Sequence, residues 1–534
     1  MPQYKSALCY IKTSDLIRDL HHLDVRASGT DCPNKATGIV IVPIPVAGDG
    51  DNVHVEQAII CTKVGNFLNR EICYLCCQKR KALIMIHHKP KFITADEAVK
   101  VVESGDHIHL SSVASAPKVL IEALCRRGDA GELKNVTIYH LHTEGFAPYT
   151  HPRYKGIFQH HAFFVGRNVR KAVQTGYADY IPVFLSETQK LYRSGVLPCN
   201  VAMIQVSPPD KHGFVSLGTS VDATLAAIEC AEHVIAVVNR FVPRAFGDAM
   251  ISMDRIDLFV EADIPLEQSH FEKPTQEELA IGKHCAALIQ DGATLQMGIG
   301  SIPNAVLSQL HGHKNLGIHT EMFADGVLGL VQKGVINGSV KKVDKGKLVS
   351  TFLMGSQQVY DFIDDNPMVA MMDVGYTNNP FIIAQNPKVT AINSALQVDL
   401  TGQVGADSLG TLFYSGVGGQ VDFVYGASLS EGGKAIVAMP SVTKTGISKI
   451  APVLMPGTGV VTTRSHIHWL VTEYGAVNLY GKSLQERSNL IIGIAHPDHR
   501  EVLERAAFER FGPHYSTSAS SSSSSSESVR STLI

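Results

Sequence analysis

The pattern of apolar and polar residues between residues 294 and 326 predicts the unit around which the rest of the chain is organised. Residues 294–297 predict a short strand, a glycine turn follows, and Pro303 stands where a helix takes its first residue. A second apolar stretch, residues 316–319, predicts a strand that delivers Glu321 at its carboxyl edge. Ligands bind at this edge of open parallel sheets, so the pattern predicts a strand–loop–helix–strand unit beside a carboxylate.

The same order of elements occurs earlier in the chain. Residues 107–110 and 135–140 predict strands, and residues 117–124 predict the helix between them. The second of these strands leads into His142-Thr143-Glu144, the counterpart of His319-Thr320-Glu321. One shared tripeptide could arise by chance, but a whole ordered set indicates an internal duplication. We therefore expect two tandem, internally duplicated open α/β domains.

The two copies differ at their first turn. The second copy has Gly298 and Gly300, whereas the first copy has Ser and Ala side chains over residues 111–115. Glycine permits a ligand to approach the backbone closely, and side chains prevent it. We expect the second half to carry catalysis and the first half to support it.

Several further elements are predicted in the second half. Residues 414–423 read as a glycine turn followed by a strand, in which Asp422 braces the turn, and residues 460–463 read as another strand. The Pro/Glu-rich residues 261–277 read as the linker between the halves.

The chain is predicted to divide into four parts. The regular pattern begins at residue 89 and soon gives a capping box, Thr94 with Glu97, at a helix start. The end of the chain is almost all serine, which buries too little surface to fold. The predicted parts are a leader (1–88), an N-terminal α/β domain (89–270), a C-terminal catalytic α/β domain (271–512) and a disordered tail (513–534).

Composition excludes several classes of partner. With 534 residues, 45 glycines and a net charge of −3, the chain suits a multidomain α/β protein and gives no basis for binding nucleic acid or an acidic membrane surface. No run reaches the roughly 18 apolar residues of a membrane span. Ten cysteines in this length do not make a disulfide scaffold, and this usage suits a reducing compartment.

The leader offers one candidate metal site. Cys73, Cys76 and Cys77 with His87 and His88 have the residue types of a zinc site. A second well-spaced Cys/His pair is missing, and two adjacent histidines make poor ligand geometry. We expect no metal.

The candidate chemistry rests on two glycine turns and one carboxylate. Gly298-Ile299-Gly300 resembles the opening of a dinucleotide fingerprint, but the third glycine is absent, and a plain strand–helix turn remains an alternative. A second glycine turn, Gly418-Gly419-Gln420, lies in the same half. Backbone donors in such turns can hold an oxygen that becomes negative. A glutamate with an ordinary pKa is ionised at neutral pH, so Glu321 needs no base to attack an acyl donor such as a thioester.

These residues resemble a known family over about four-fifths of the chain. The matching motifs are His142-Thr143-Glu144-Gly145, Ser207-Pro208-Pro209-Asp210, Gly298-Ile299-Gly300-Ser301-Ile302-Pro303, His319-Thr320-Glu321-Met322 and the run from Ser415 to Phe423. Together they resemble the acetyl-CoA hydrolase/4-hydroxybutyrate CoA-transferase group of class I CoA-transferases.

The resemblance implies a ping-pong reaction through a glutamyl-CoA thioester. It implies that Glu321 is the nucleophile and that Asn393 and Gln420 contact the acyl group or its oxyanion. It implies no permanently bound cofactor, with coenzyme A as a substrate. The residues that it implies for CoA binding are Gly298, Ile299, Gly300, Ser301, Ile302, Gly418 and Gly419.

The resemblance further implies acetyl-CoA and short-chain carboxylates as partners, a homodimer and a mitochondrial location. Residues 1–26 nevertheless make a poor presequence, because they carry three aspartates.

The sequence does not separate hydrolase from transferase. A catalytically silent module that senses CoA esters or sugar phosphates is the alternative function. We expect His142 and Glu144 to be structural, and His212 and His319 to be hydrogen-bonded rather than catalytic.

Overall fold

The computed structural model describes residues 39–46, 54–61, 91–269, 272–298 and 300–512. The chain forms two compact units, residues 1–79 and 80–534. In the first unit, strands Ile39–Val46 and His54–Cys61 form an antiparallel hairpin. The candidate zinc ligands and the serine-rich tail lie outside the described residues, as does Ile299.

The first half of the larger unit contains a seven-stranded parallel sheet. Its strands, in spatial order, are Leu258–Glu261, His233–Val238, Val201–Val206, His107–Leu110, Val136–His140, Phe158–Ala162 and Ala178–Tyr180. Two inner strands, Val136–His140 and Val201–Val206, are buried along their whole length, as expected for a parallel sheet covered on both faces.

The second half contains a six-stranded sheet that is parallel except at one edge. Its strands, in spatial order, are Gly317–Ile318, Thr294–Met297, Thr390–Asn393, Lys434–Ala438, Trp469–Thr472 and the antiparallel Gly475–Asn478. A parallel bridge between His319 and Val349 continues this sheet into a second group of strands. That group is Leu348–Ser350, Val369–Met371 and Phe246–Gly247, the last contributed by the first half.

The predicted duplication is visible in the strand order. When the strands joined through the His319–Val349 bridge are included, the order is the same in both halves: the first strand lies between the second and the fifth, the third and fourth follow beyond the second, and the sixth and seventh follow beyond the fifth. Asn135 and Asn315, which precede the second strand of each half, both adopt a left-handed backbone, with φ of 55° and 56°. The shared topology confirms the predicted fold class of two tandem, internally duplicated open α/β domains.

Helices cover the sheets and connect their strands. In the first half they are Ala95–Ala98, Lys118–Asp129, Arg170–Gln174, Leu185–Arg193 and Thr224–Cys230. In the second half they are Gln276–Leu288, Ser301–Leu307, Leu328–Gln332, Gln357–Ile363, Val374–Thr377, Pro380–Ile383, Gln420–Leu429, Leu484–Gly493 and Pro497–Phe511. The predicted capping box is confirmed: Thr94 accepts from the Glu97 N–H, and the Glu97 side chain accepts in return from the Thr94 N–H. Short two-stranded and three-stranded sheets complete the fold, namely Phe214–Ser216 with Met250–Ser252, Met322–Phe323 with Phe352–Leu353, Gln397–Asp399 with Val404–Gly405 and Ile450–Ala451, and Ser408–Leu409 with Leu412–Phe413.

Two strand predictions were wrong. The apolar residues after the second glycine turn form a helix, Gln420–Leu429, because Phe423, Val424 and Ala427 pack as one buried cluster against Ile383. In residues 460–463 a single antiparallel bridge, from Thr462 to Val404, is present instead of a strand.

Two helix starts also differ from expectation. The predicted linker, residues 261–277, runs into helix Gln276–Leu288, where Thr275 and Glu278 form a capping box. Pro303 is the third residue of its helix rather than the first, because helix Ser301–Leu307 begins directly after Gly300. In the part of the chain that the structure describes, no helix is long and apolar enough to cross a membrane.

Candidate active site

The backbone of Glu321 is anchored just beyond the carboxyl edge of the second-half sheet. Its carbonyl oxygen accepts hydrogen bonds from the Ser350 hydroxyl at 2.9 Å, the Thr351 N–H at 3.1 Å and the Phe352 N–H at 3.2 Å. Three donors on one carbonyl fix the backbone position from which the Glu321 side chain extends. The strand edge therefore presents Glu321 as the sequence predicted.

The carboxylate of Glu321 contacts residues that come from other parts of the fold. Asn378 Nδ2 donates to Glu321 Oε2 at 3.0 Å, and the Gly419 N–H also favours the ionised carboxylate. Asn378 is fully buried, at the end of helix Val374–Thr377. The second glycine turn and the edge carboxylate therefore meet, as the sequence predicted.

Burial raises the pKa of Glu321 to about 7, and the negative charge of Asp422 adds to the rise. The hydrogen bonds from Asn378 and Gly419 act in the opposite direction. The expectation of an ordinary carboxyl pKa was wrong, because desolvation outweighs those two bonds. Only the deprotonated fraction of Glu321 can act as a nucleophile near neutral pH.

Asp422 joins the two halves instead of bracing its own turn. The Ser186 hydroxyl donates to Asp422 Oδ1 at 2.8 Å, and the Ser186 N–H donates to Oδ2 at 3.1 Å. Asp422 is buried, and burial raises its pKa to about 6. The interpretation of Asp422 as a brace of its own turn was wrong, because its carboxylate accepts hydrogen bonds from Ser186 of the first half and from Asn378, neither of which belongs to that turn.

A cavity of about 270 Å³ opens in front of Glu321. It brings together most of the predicted site residues: Gly298, Glu321, Asn393, Gly418, Gly419 and Gln420. Other residues of its wall were not predicted, among them Phe164, Gln296, Met322, Ser394 and Ser415. A space of this size, lined by apolar atoms and a few convergent polar groups, suits a small-molecule site.

The other residues of the first glycine loop that the structure describes lie outside this lining. Gly300 has a φ of 119° and caps the helix that follows. The Ser301 hydroxyl donates to Glu278, and Ile302 packs against the hydrophobic core. The cavity lining therefore contains Gly298 but not Gly300, Ser301 or Ile302.

Two amide side chains in the cavity wall are paired. Asn393 Nδ2 donates to Gln296 Oε1 at 3.1 Å. Gln420, at the start of its helix, donates through Nε2 to the Thr462 hydroxyl at 3.1 Å. Each predicted amide is therefore held in place by a neighbour.

The first half holds the second glycine turn in place. The Leu185 N–H donates to the Gly418 carbonyl at 3.1 Å, and the Val417 N–H donates to the Tyr180 hydroxyl at 3.1 Å. Phe164 of the first half lines the cavity directly. The site is therefore built from both halves.

The contact is reciprocal. The loop that precedes helix Thr224–Cys230 of the first half pairs with the segment that anchors Glu321: the Leu353 N–H donates to the Thr219 carbonyl at 2.9 Å, and the Val221 N–H donates to the Thr351 carbonyl at 2.9 Å. Each half therefore supports a loop of the other.

The secondary candidates lie outside the cavity lining. His142 Nε2 and Glu144 Oε1 pair with each other at 2.7 Å. His319 is buried, and its Nε2 contacts the Thr377 carbonyl at 2.9 Å. Burial lowers the pKa of His319 to about 4, so its ring is neutral at physiological pH. His212 is exposed. In the described residues, no group of three or more Cys, His, Asp or Glu side chains could hold a metal ion.

Sequence reasoning missed Asn378, Ser186 and Phe164. Asn378 is followed by Asn379 and Pro380, which signal a turn and a helix start, and Asn379 does cap that helix. Nothing in this local pattern indicates that Asn378 faces Glu321. Ser186 and Phe164 lie in the half that was expected only to support the site.

Comparison with known proteins gives two family matches in tandem. Residues 77–266 match the acetyl-CoA hydrolase/transferase N-terminal domain, and residues 355–507 match the C-terminal domain. The succinyl-CoA:acetate/propanoyl-CoA:succinate CoA transferase of Fasciola hepatica is 49% identical over 79% of this chain and 88% of its own length. The chain belongs to the acetyl-CoA hydrolase/transferase family.

Two other members support the assignment. The 4-hydroxybutyrate coenzyme A transferase of Clostridium kluyveri is 46% identical over 79% of this chain and 99% of its own length. The crystal structure of 4-hydroxybutyrate CoA-transferase from Porphyromonas gingivalis superimposes with a TM-score of 0.68, at 37% identity, over 79% of this chain and 98% of that one. The family resemblance drawn from the sequence motifs is therefore confirmed.

Proposed function

We propose that this member of the family transfers coenzyme A between a short-chain acyl-CoA and a carboxylate through a glutamyl-CoA thioester on Glu321. The observation that carries the proposal is the position of the Glu321 carboxylate. It lies in the wall of a ligand-sized cavity, beside the Asn378 amide and the Gly419 N–H. A binding module needs no carboxylate at this point, whereas acyl transfer does.

The first half-reaction forms two intermediates. The ionised Glu321 carboxylate attacks the thioester carbonyl, the C–S bond breaks and CoA leaves as a thiolate, which gives a mixed anhydride. The thiolate then attacks the Glu321 carboxyl carbon, which releases the original acyl group as a carboxylate and leaves CoA on Glu321. Backbone N–H groups of the glycine turns are suited to hold the oxyanions of these steps.

The second half-reaction runs the same steps in reverse with another carboxylate. The acceptor attacks the glutamyl thioester, and the thiolate returns to the acceptor's acyl carbon. If water attacks the glutamyl thioester instead, Glu321 is restored and the net reaction is hydrolysis. Binding of the remote nucleotide and pantetheine arm supplies free energy for the acyl step.

The names of the relatives support short-chain acids as substrates. They include acetate, succinate, propanoyl-CoA and 4-hydroxybutyrate. We propose acids of this size for the present chain, with acetyl-CoA as one donor. No permanent cofactor enters the steps above, and CoA is both product and substrate.

Four further expectations stay predictions. They are the four-part division of the chain, a homodimer, a mitochondrial location without nucleic-acid or membrane partners, and the proposed CoA-binding role of Gly298, Ile299, Gly300, Ser301, Ile302, Gly418 and Gly419. Light scattering of the purified protein tests the homodimer, and fractionation of its cells tests the mitochondrial location.

The proposal is tested by trapping the thioester. Borohydride added after acetyl-CoA should convert Glu321 to the alcohol, a mass loss of about 14 Da in its peptide. Glu321→Gln should give no modified peptide and no turnover, because the amide cannot form the anhydride. Glu321→Asp, one methylene shorter, should lose most turnover through misplacement. An unmodified peptide together with a fully active Gln variant would exclude this mechanism.

The same preparation separates transferase from hydrolase. Acetyl-CoA consumption is measured first without any added acid, then with propionate, succinate or 4-hydroxybutyrate. Strong acceleration by one acid, with its CoA ester as product, identifies a transferase. Unchanged consumption with free CoA as product identifies a hydrolase. Binding of CoA esters without any consumption would favour the sensor instead.

A further inference from the structure

Helix Leu185–Arg193 of the first half touches both elements that place Asn378. Asn378 follows helix Val374–Thr377 and lies beside helix Gln420–Leu429, which carries Asp422. The amino end of Leu185–Arg193 contacts the second of these elements, and its carboxyl end contacts the helix before Asn378. One first-half helix therefore reaches the surroundings of the proposed nucleophile from two sides.

At the amino end, Ser186 makes two hydrogen bonds to Asp422, one from its hydroxyl and one from its N–H. Asp422 Oδ2 in turn lies 3.4 Å from Asn378 Nδ2. The same nitrogen donates to Glu321 Oε2 at 3.0 Å. Both hydrogens of the Asn378 amide group are therefore directed at carboxylates, one at Glu321 and one at Asp422. Ser186 is connected to Asn378 through Asp422.

At the carboxyl end, Arg193 Nη2 donates to Asp373 Oδ2 at 2.9 Å. Asp373 is buried and caps helix Val374–Thr377 by accepting from the Gly375 N–H at 2.7 Å. Arg193 is itself held by Glu229 and Gln189, at 2.8 and 2.7 Å. The carboxyl end of helix Leu185–Arg193 therefore fixes helix Val374–Thr377, which Asn378 directly follows.

The orientation of the Asn378 amide depends on Asp422. Asn378 Oδ1 is buried and has no hydrogen-bond partner. A rotated amide would place that oxygen against two carboxyl groups and would lose both hydrogen bonds. An acceptor at Asp422 therefore selects the rotamer in which Nδ2 faces Glu321.

We propose that Asp422 is a positioning residue for the acyl-transfer step, because it is held by Ser186 of the first half and in turn holds the Asn378 amide against Glu321. The inference rests on the proposed function of Glu321. It gives the first half a defined part in the chemistry. Besides Glu321, the charged side chain that acts on Asp422 is Glu187, from the next residue of the same helix as Ser186.

Two substitutions of Asp422 separate its geometry from its charge. In Asp422→Asn, the new carboxamide oxygen can accept from Ser186 N–H and Asn378 Nδ2, while its NH₂ group donates to the Ser186 hydroxyl. Every hydrogen bond is kept and only the charge is lost. In Asp422→Ala, the Asn378 amide loses its second acceptor and is free to rotate.

The experiment measures the rate of covalent enzyme–CoA formation and its pH profile. For Asp422→Ala, we expect a loss of about tenfold or more in this rate, with the KM for the CoA ester within about twofold of wild type. For Asp422→Asn, we expect a rate close to wild type at high pH and a profile displaced toward lower pH, because removal of the negative charge makes Glu321 more acidic. An Ala variant with a wild-type rate would overturn the proposal, and so would an Asn variant with an unmoved profile.

Ser186→Ala covers the case in which Asp422→Ala does not fold, since it removes one hydrogen bond and should give a smaller loss of the same kind. Ser194→Ala is its control, because Ser194 is exposed at the far end of the same helix and its hydroxyl donates to the Lys190 carbonyl of that helix. If Ser186→Ala and Ser194→Ala behave alike, the proposal is wrong.

A second readout does not depend on catalysis. The melting temperatures of wild type and Glu321→Gln should differ by an amount that changes with pH, because only wild type has the Glu321 carboxyl to titrate. When both proteins also carry Asp422→Asn, we expect this change to move to lower pH. If wild type itself forms no covalent species but this movement is seen, the proposed function fails while the coupling of Asp422 to Glu321 stands. Absence of the movement contradicts the positioning proposal in either case.

Discussion

Gly419 and Glu321 are so close that no side chain fits between them. A Cβ added to Gly419 would lie 2.0 Å from Glu321 Oε2 and 2.3 Å from Asn378 Nδ2. The φ of Gly419 is −94°, which any residue can adopt. Residue 419 must therefore be glycine because any side chain would overlap the Glu321 carboxylate and the Asn378 amide that donates to it.

Gly419→Ala should slow acyl transfer by about 100-fold or more while leaving the protein folded. The added methyl group must displace Glu321 Oε2 and Asn378 Nδ2, which breaks the contact between them. A displacement of about 1 Å at a reacting group costs on the order of 100-fold in rate. Turnover and covalent enzyme–CoA formation measure the loss, and circular dichroism reports the fold.

Gly329→Ala is the matched control for this substitution. Gly329 lies in helix Leu328–Gln332, and a Cβ added to it would meet no atom within 4 Å besides its chain neighbours and the backbone of its own helix. Alanine in a helix is favoured over glycine by about 0.5–1 kcal/mol, so this variant should be fully active and slightly more stable. Equal activity of the two variants would contradict the close packing at Gly419.

The rate should depend on pH through the ionisation of Glu321. Because burial raises the pKa of this carboxyl to about 7, a large fraction is protonated and unreactive below neutrality. We expect kcat/KM for acetyl-CoA to rise with pH and to level off above the pKa, since kcat/KM reports ionisation of the free enzyme. A profile that is flat from pH 5 to 8 would contradict the raised pKa.

The stability of the fold should show the same ionisation with a defined sign. The pKa of Glu321 is raised from 4.5 to about 7, so the folded state binds a proton more tightly than the unfolded state does. This contribution is fully present below pH 4.5 and is lost as the pH rises through 7. Glu321→Gln has no such loss, so its melting temperature relative to wild type should increase from pH 5 to pH 8.

The control for this prediction is a carboxyl in ordinary solvent. Glu509→Gln, the same change at an exposed position of helix Pro497–Phe511, should show no such rise in melting temperature relative to wild type over the same range. A Glu321→Gln variant that behaves like this control would show that burial does not disfavour the ionised carboxylate.

Local patterns predicted the elements whose cause is local. Strand Thr294–Met297 and the capping box at Thr94 follow from residues that are neighbours in the chain, and the structure has both. The edge position of Glu321 follows from the strand before it. The strand order in the two halves agrees with the duplication inferred from the sequence.

Features that arise from tertiary packing were missed. The apolar run around Phe423 resembles a strand, but it is a helix because its apolar side chains pack against Ile383 and neighbours far away in sequence. Asn378 and Ser186 are separated from their carboxylate partners by 57 and 236 residues. The raised pKa of Glu321 depends on the same distant neighbours, so no local pattern could reveal it.

Glu144 occupies the place in the first half that Glu321 occupies in the second, but its surroundings differ. The loop at Val113 closes over it: the Val113 N–H donates to the His142 carbonyl at 2.6 Å, and the Glu144 N–H donates to the Val113 carbonyl at 3.3 Å. The corresponding glycine loop of the second half borders the cavity. In the first half, backbone hydrogen bonds therefore fill the side of the glutamate on which a ligand would have to bind.

Glu144→Gln should consequently leave the chemistry intact. The Glu144 carboxylate accepts from His142 Nε2 at 2.7 Å, and a glutamine oxygen can accept from the same nitrogen. Formation of the covalent enzyme–CoA species after acetyl-CoA should therefore match wild type, with a modest loss of stability because a charge-assisted bond becomes a neutral one. The matched comparison is Glu321→Gln, the same change at the equivalent strand edge, which should form none of this species. Two folded variants that both fail to form it would show that the first half takes part in the chemistry through Glu144 as well.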